Sequence, residues 1–255
     1  MKKLILALCV GLAACTQMSG SGETPGSSAS SGEAPEKARA FTDLAGAYFT
    51  RGQYKVALDE LRKAIKADPR FGPAYNIYGL VYMDLAEDRL AEENFRKAID
   101  LDRDDSEAHN NLGWFLCTRG RYDEGQEQFI AALRNPLYPR PEQALLNAGL
   151  CAEKQGDIAL AEAKLTRALK LQPDNANAIL KLAGLQYRQG RLADAQRLLT
   201  RYGELAQPSA ESLWLAVRTE RKLGDRAQEA AYGLQLRKRF PDSNEARLLT
   251  TGQYE

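Results

Sequence analysis

One unit recurs along this chain on a period of 34 residues, and no other feature limits its possible folds as much. In the first copy, Phe41, Leu44, Ala45 and Tyr48 fall at i, i+3, i+4 and i+7, on one helical face. Gly52 breaks that pattern, and Ala57, Leu61 and Ala64 then start a second stripe, widened by Leu58 and Ile65, before Pro69 closes the unit. Two short amphipathic helices joined by a tight turn cannot bury both stripes against each other. The unit needs neighbours like itself, and the chain supplies them.

Starts near residues 38, 72, 106, 142, 176 and 210 are spaced by 34, 34, 36, 34 and 34. The recurring positions match the tetratricopeptide pattern, with large residues at 4, 7 and 11, small ones at 8 and 20, and glycine at the turn. The second copy reads Tyr75, Tyr78, Gly79, Tyr82, Ala91, Phe95, Ala98, and the fourth Leu145, Ala148, Gly149, Gly156, Ala161, Leu165, Ala168. The expected fold is all-α, a right-handed α-solenoid of six helix-turn-helix repeats over 38–255. A short capping helix is expected from 244, with Ala246, Leu248 and Leu249 turned to the last repeat. Positions 8 and 20 are where the paired helices cross closely, so Gly125 and Glu229 at position 20 mark less regular third and sixth repeats. The two extra residues of the 36-residue step lie in Pro136-Leu137-Tyr138-Pro139-Arg140-Pro141, a stiff connection.

Before the repeats the chain changes character. Met1-Lys2-Lys3 is a basic start, and the apolar run Leu4 to Leu12 is too short to span a bilayer, so 1–14 reads as an export signal. Leu12-Ala13-Ala14-Cys15 resembles the bacterial lipoprotein signal, which implies a lipidated (diacylglycerol and palmitate-type) N-terminus at Cys15 and membrane attachment through acyl chains. Thr16, where an inner-membrane retention signal would carry Asp, implies sorting to the outer membrane. The segment 15–37 is rich in Ser and Gly and lacks apolar periodicity, and is expected to be a disordered tether with a reach of ~25 Å.

Charge and residue usage exclude several function classes. A net charge of +1 argues against a nucleic-acid binder. A single His and four Cys leave no multi-ligand metal site, and His109 occupies a packing position of the third repeat. The acidic run Asp100, Asp102, Asp104, Asp105 lacks the spacing of a calcium loop, and the glycines stand singly rather than as a phosphate cradle. The chain is therefore read as non-enzymatic, with no cofactor and no small-molecule substrate. After export, Cys117 and Cys151 remain. An oxidising compartment permits a bridge, but position 12 (Cys117) faces the groove and position 10 (Cys151) the inter-repeat packing, which favours two free buried thiols.

In a tetratricopeptide stack the first helices line a concave groove. The groove positions hold Phe49, Asn76, Leu80, Met83, Asn110, Trp114, Leu146, Leu150, Leu180, Tyr187, Trp214 and Arg218, most of them large and apolar where packing within a repeat does not require it. The expected occupant is an amphipathic helix or an extended apolar peptide. Charge differs between the ends: residues 84–105 carry nine acidic and four basic residues, a net of −5, whereas 212–239 carry seven basic and three acidic, a net of +4.

A lipoprotein signal, a polar tether and six such repeats together resemble the PilF/PilW family of type IV pilus biogenesis lipoproteins, the pilotins of the pilus secretin. Asn110-Asn111-Leu112-Gly113, Asn135-Pro136-Leu137-Tyr138-Pro139 and Tyr232-Gly233-Leu234-Gln235-Leu236 carry the resemblance locally. It implies that the protein binds secretin subunits through the groove, brings them to the outer membrane on its lipid anchor, and promotes their multimerisation, on which twitching motility depends. The other reading open at this point is a different envelope adaptor, one that scaffolds peptidoglycan enzymes or outer-membrane protein assembly.

Overall fold

The structure, a computed structural model, describes residues 33–254. The signal, Cys15 and most of the tether therefore lie outside the described residues. Twelve helices form six consecutive hairpins: α1 (Glu33–Thr50) with α2 (Tyr54–Ala67), α3 (Gly72–Asp84) with α4 (Asp88–Leu101), α5 (Ser106–Thr118) with α6 (Tyr122–Ala132), α7 (Pro141–Gln155) with α8 (Ile158–Leu171), α9 (Ala176–Arg188) with α10 (Leu192–Leu205), and α11 (Ala210–Leu223) with α12 (Arg226–Arg239). A thirteenth helix, α13 (Asn244–Thr251), closes the stack against α11 and α12. The chain is thus an all-α solenoid of tetratricopeptide-like hairpins.

Each hairpin packs most extensively within itself, and its second helix then meets the first helix of the next hairpin. The core is correspondingly a chain of local clusters, such as Ala45, Ala57, Leu61, Ala74, Tyr78 and Val81 between the first two repeats. Small residues set the crossings. A Cβ on Gly79 would stand 2.5 Å from Phe95 Cδ1, so the phenyl ring occupies the space that any other residue would need. In the third repeat both crossing residues are glycine: a Cβ on Gly125 would lie 2.9 Å from the carbonyl oxygen of Gly113. Glycine at position 20 therefore goes with a close backbone approach there. Glu229, at the same position of the sixth repeat, bonds to Arg221 Nη1 at 2.9 Å and Arg226 Nη1 at 2.8 Å.

The turn inside five repeats uses a left-handed glycine, with φ from +70° to +89° at Gly52, Gly120, Gly156, Gly190 and Gly224. The second repeat has Ala86 there, at φ +59°. The connection after α6 is held by Tyr138, which is buried between Ala132 and Ala144, while Asn135 Oδ1 accepts from the Leu137 amide at 2.9 Å. Leu137 itself is 86% exposed.

Two expectations about the helices and their cross-links need correction. Residues 33–37 belong to α1, not to the tether. Glu33 and Glu36 sit in the first turn, where the helix dipole favours acids, Lys37 bonds back to Glu33, and Pro35 falls in the first turn, where its missing N–H costs nothing. Cys117 and Cys151 are joined in a disulfide, with Cα atoms 5.6 Å apart, rather than free. Their helices, α5 and α7, are packed neighbours, and both cysteines lie on the flanks that face each other.

Candidate functional site

The odd-numbered helices form the inner wall, with α1, α3, α5 and α7 in successive contact and α9 against α11. The wall divides into two regions of different chemistry.

In the first region, a concave cavity of about 660 Å³ opens over α1, α3, α5 and α7. A row of side-chain amides crosses its floor. Gln143 Nε2 donates to Asn147 Oδ1 (3.0 Å), Asn147 Nδ2 to Asn110 Oδ1 (3.0 Å), Asn110 Nδ2 to Asn111 Oδ1 (3.4 Å), and Asn111 Nδ2 to Asn76 Oδ1 (3.1 Å). Each bond points the same way, from α7 towards α3, and the row stitches three repeats. Asn76 and Asn110 are buried, so the bonds they make to other amides offset the loss of water. Asp43, Asp105 and Glu107 also line the cavity, and Arg140 from the connection binds Glu107 through Nε (3.0 Å) and Nη2 (2.7 Å). Burial, opposed by the Ala108 amide that Asp105 caps, raises the Asp105 carboxyl above its usual range. Leu80 lines this cavity and is half-buried; Phe49 on α1, Met83 on α3, Trp114 on α5 and Leu150 on α7 are half-buried on the same helices without lining it. They keep apolar surface that a partner can cover.

The second region lies between α9 and α11, around a pocket of about 200 Å³. Here the apolar wall residues are buried within the chain. Leu180 is 6% exposed, and Tyr187 and Trp214 7% each; Leu146, on α7, is also buried, at 2%, against α8 and α9. This corrects the expectation that they form an open apolar surface: neighbouring helices cover them, and for Trp214 so does the C-terminal tail, because the Tyr254 ring stacks on it with centroids 5.6 Å apart. The Arg218 guanidinium lies over Tyr187 (4.9 Å) and Trp214 (5.5 Å). Cys117, assigned to the groove by its position, is buried in the disulfide. His109 lies outside both regions, its Nδ1 2.8 Å from Gln128 Oε1 and its Nε2 3.1 Å from the Arg103 carbonyl.

The family model for the tetratricopeptide repeat matches residues 28–70, 72–105, 94–127, 116–176 and 152–218. The type IV pilus assembly protein PilF of Pseudomonas aeruginosa is 30% identical over 242 residues, which cover 95% of this chain and 94% of that one. The chain belongs to the PilF/PilW family. A solved structure of Pseudomonas aeruginosa PilF superposes with a TM-score of 0.79 at 29% identity, covering 86% of this chain and 99% of that one. The structure of PilW, described as a widely conserved type IV pilus biogenesis factor, gives 0.77 at 34% identity over 84% and 98%.

Among the described residues there is no cluster of His, Cys, Asp and Glu able to hold a metal, and no helix long and apolar enough to cross a membrane. Of the amide row, sequence reasoning picked out Asn76 and Asn110 and missed Asn111, Gln143 and Asn147. The signal was present: an amide falls at the fifth or sixth position of three successive repeats.

Proposed function

We propose that this protein is a pilotin of type IV pilus biogenesis, a lipid-anchored adaptor that binds secretin subunits through the groove of its first four repeats and promotes their multimerisation at the outer membrane. Membership of the PilF/PilW family over nearly the full length of the chain carries this reading. It also favours the pilus role over a scaffold for peptidoglycan enzymes or outer-membrane protein assembly. Leu80, which lines the cavity with the amide row, and the half-buried Phe49, Met83 and Trp114 on the same helices support the placement of the contact. These side chains offer apolar area and the amides offer oriented hydrogen bonds, a combination suited to a peptide segment. The repeats act by binding, not by catalysis.

The anchor is assigned to Cys15, which places the repeats in the periplasm on a short tether. Two or more acyl chains hold a protein stably at a bilayer. Two experiments test the two halves of the reading. Leu80→Glu with Met83→Glu should abolish co-purification of the secretin subunit while the fold persists; retained co-purification and normal secretin multimers would reject the groove. Replacing Cys15 with Ala should leave the repeats folded and mislocalise the secretin. Unchanged outer-membrane multimers in that variant would reject the carrier role.

A further inference from the structure

The pocket between α9 and α11 contains a cation that has no ion-pair partner among the described residues. Three acids and three bases line it. Arg188 pairs with Glu153 (Nη2 to Oε1, 2.5 Å) and Lys181 with Glu211 (Nζ to Oε1, 2.7 Å), so two of the three bases are neutralised across successive repeats. Glu245, from α13, lines the pocket but makes no ion pair, and Arg218 has no carboxylate within 4.0 Å among the described residues. Arg218 Nε is buried and makes no hydrogen bond.

We propose that Arg218 forms a carboxylate-binding site, which takes an aspartate or glutamate side chain from the partner segment that occupies the groove. The inference rests on the pilotin reading for the identity of the partner, and on the following geometry for the site. The faces of Tyr187 and Trp214 hold the guanidinium, and Tyr254 stacked on Trp214 holds that ring in turn. Nε is enclosed by the protein, so the edge open to a ligand is the one formed by the two terminal nitrogens, and that edge matches a carboxylate in two parallel hydrogen bonds. Because the rings have already ordered the side chain, little further entropy is lost when the acid arrives. Lys222 Nζ, 4.7 Å from the Tyr187 centroid and also without an ion pair among the described residues, adds a second positive charge beside the same ring. The opposite end of the groove carries Asp43, Asp105 and Glu107. Arg218 stands at one end of the groove, so an acid read there fixes which way the partner segment runs.

The test uses N-acetylated, C-amidated hexaglutamate and hexaglutamine, which carry no terminal charges, titrated into the whole protein while the Arg218 Nε–Hε resonance is followed by NMR. That resonance is assigned by its loss in Arg218→Met. Hexaglutamate should move it and hexaglutamine should not. An unmoved resonance overturns the site, and movement only by a peptide with a free C-terminus overturns the side-chain assignment. In a second arm, the affinity for the secretin subunit is measured for wild type, Arg218→Met and Arg218→Lys. Methionine keeps the packing on the rings and removes the charge. It should weaken binding by about tenfold at low salt and by less at high salt, with lysine intermediate. A change within about twofold in the folded methionine variant contradicts the proposal. If wild type does not bind the secretin at all, the pilotin reading fails, while the NMR titration still decides whether Arg218 binds carboxylates.

Discussion

The disulfide between Cys117 and Cys151 gives the most quantitative prediction about stability. It joins α5 to α7 across a sequence separation of 34 residues, so in the unfolded chain it closes a loop the length of one repeat. Closing a loop of that length removes about 13 cal/mol/K of chain entropy, which corresponds to about 3.8 kcal/mol at 25 °C. Both cysteines are buried, so the perturbation should keep every heavy atom: the oxidised protein is compared with the same protein reduced in place, and with Cys117→Ala/Cys151→Ala as a second reference. Urea unfolding followed by circular dichroism should give a loss of about 3–4 kcal/mol for the reduced protein, from a lower midpoint, with a steeper slope because the chain without the cross-link exposes more surface when unfolded. In thermal unfolding the same loss corresponds to roughly 8–15 °C in Tm for a chain of this size. The alanine double variant should lose slightly more, because two sulfur atoms leave a packed cluster with Phe129 and Ala148. A loss below about 1 kcal/mol on reduction would refute the reasoning, since the staple would then not restrict the unfolded chain.

Two further outcomes follow from local geometry. Ala86 sits at φ +59° where five repeats have glycine, so Ala86→Gly should raise the urea midpoint by the equivalent of about 0.5–1 kcal/mol, while Gly120→Ala should lower it by a similar amount. Glu162 is held below its ordinary value of 4.5, first by the hydrogen bond from Arg191, with Gln186 Nε2 also donating at 3.0 Å. A depressed carboxylate stabilises the fold above its unfolded value and loses that contribution as pH falls through the folded one. Arg191→Met should therefore lower the unfolding free energy at pH 7 by less than about 1 kcal/mol for so exposed a pair, and the difference from wild type should vanish in acid below the depressed value; a gap that persists there rules out the pair as its source.

The periodic residues made the fold legible because each has a mechanical duty. Gly79 admits the Phe95 ring, and Gly113 and Gly125 let two backbones meet, so their spacing reports the hairpin directly. The start of α1 was hidden because Glu33, Pro35 and Glu36 suit a polar tether and the first turn of a helix equally well. The disulfide was hidden for a different reason. The repeat step between the third and fourth units is 36 residues, yet the cysteines are 34 apart, so they occupy different positions in their helices. An idealised face assignment then turned them away from each other, whereas the packing of α5 on α7 turns them together. For the groove, sequence told which residues line the inner wall but not how closely its helices converge. Leu180, Tyr187 and Trp214 are consumed by that convergence, and Tyr254, from beyond α13, covers Trp214. The half-buried apolar residues that remain on the inner wall lie in the first four repeats, on the helices that carry an amide row of which Asn76 and Asn110 were read singly and Asn111, Gln143 and Asn147 were missed.

The central claim is that the inner wall of the early repeats receives the secretin. Hydrogen exchange on the protein alone and in complex with the secretin subunit tests it most directly, because it reports helix by helix without altering any residue. The account predicts slower exchange in α1, α3 and α5, around Phe49, Leu80, Met83 and Trp114, with α4, α6 and α8 unchanged. Protection confined to those outer helices, or its absence from α3 and α5, would contradict it.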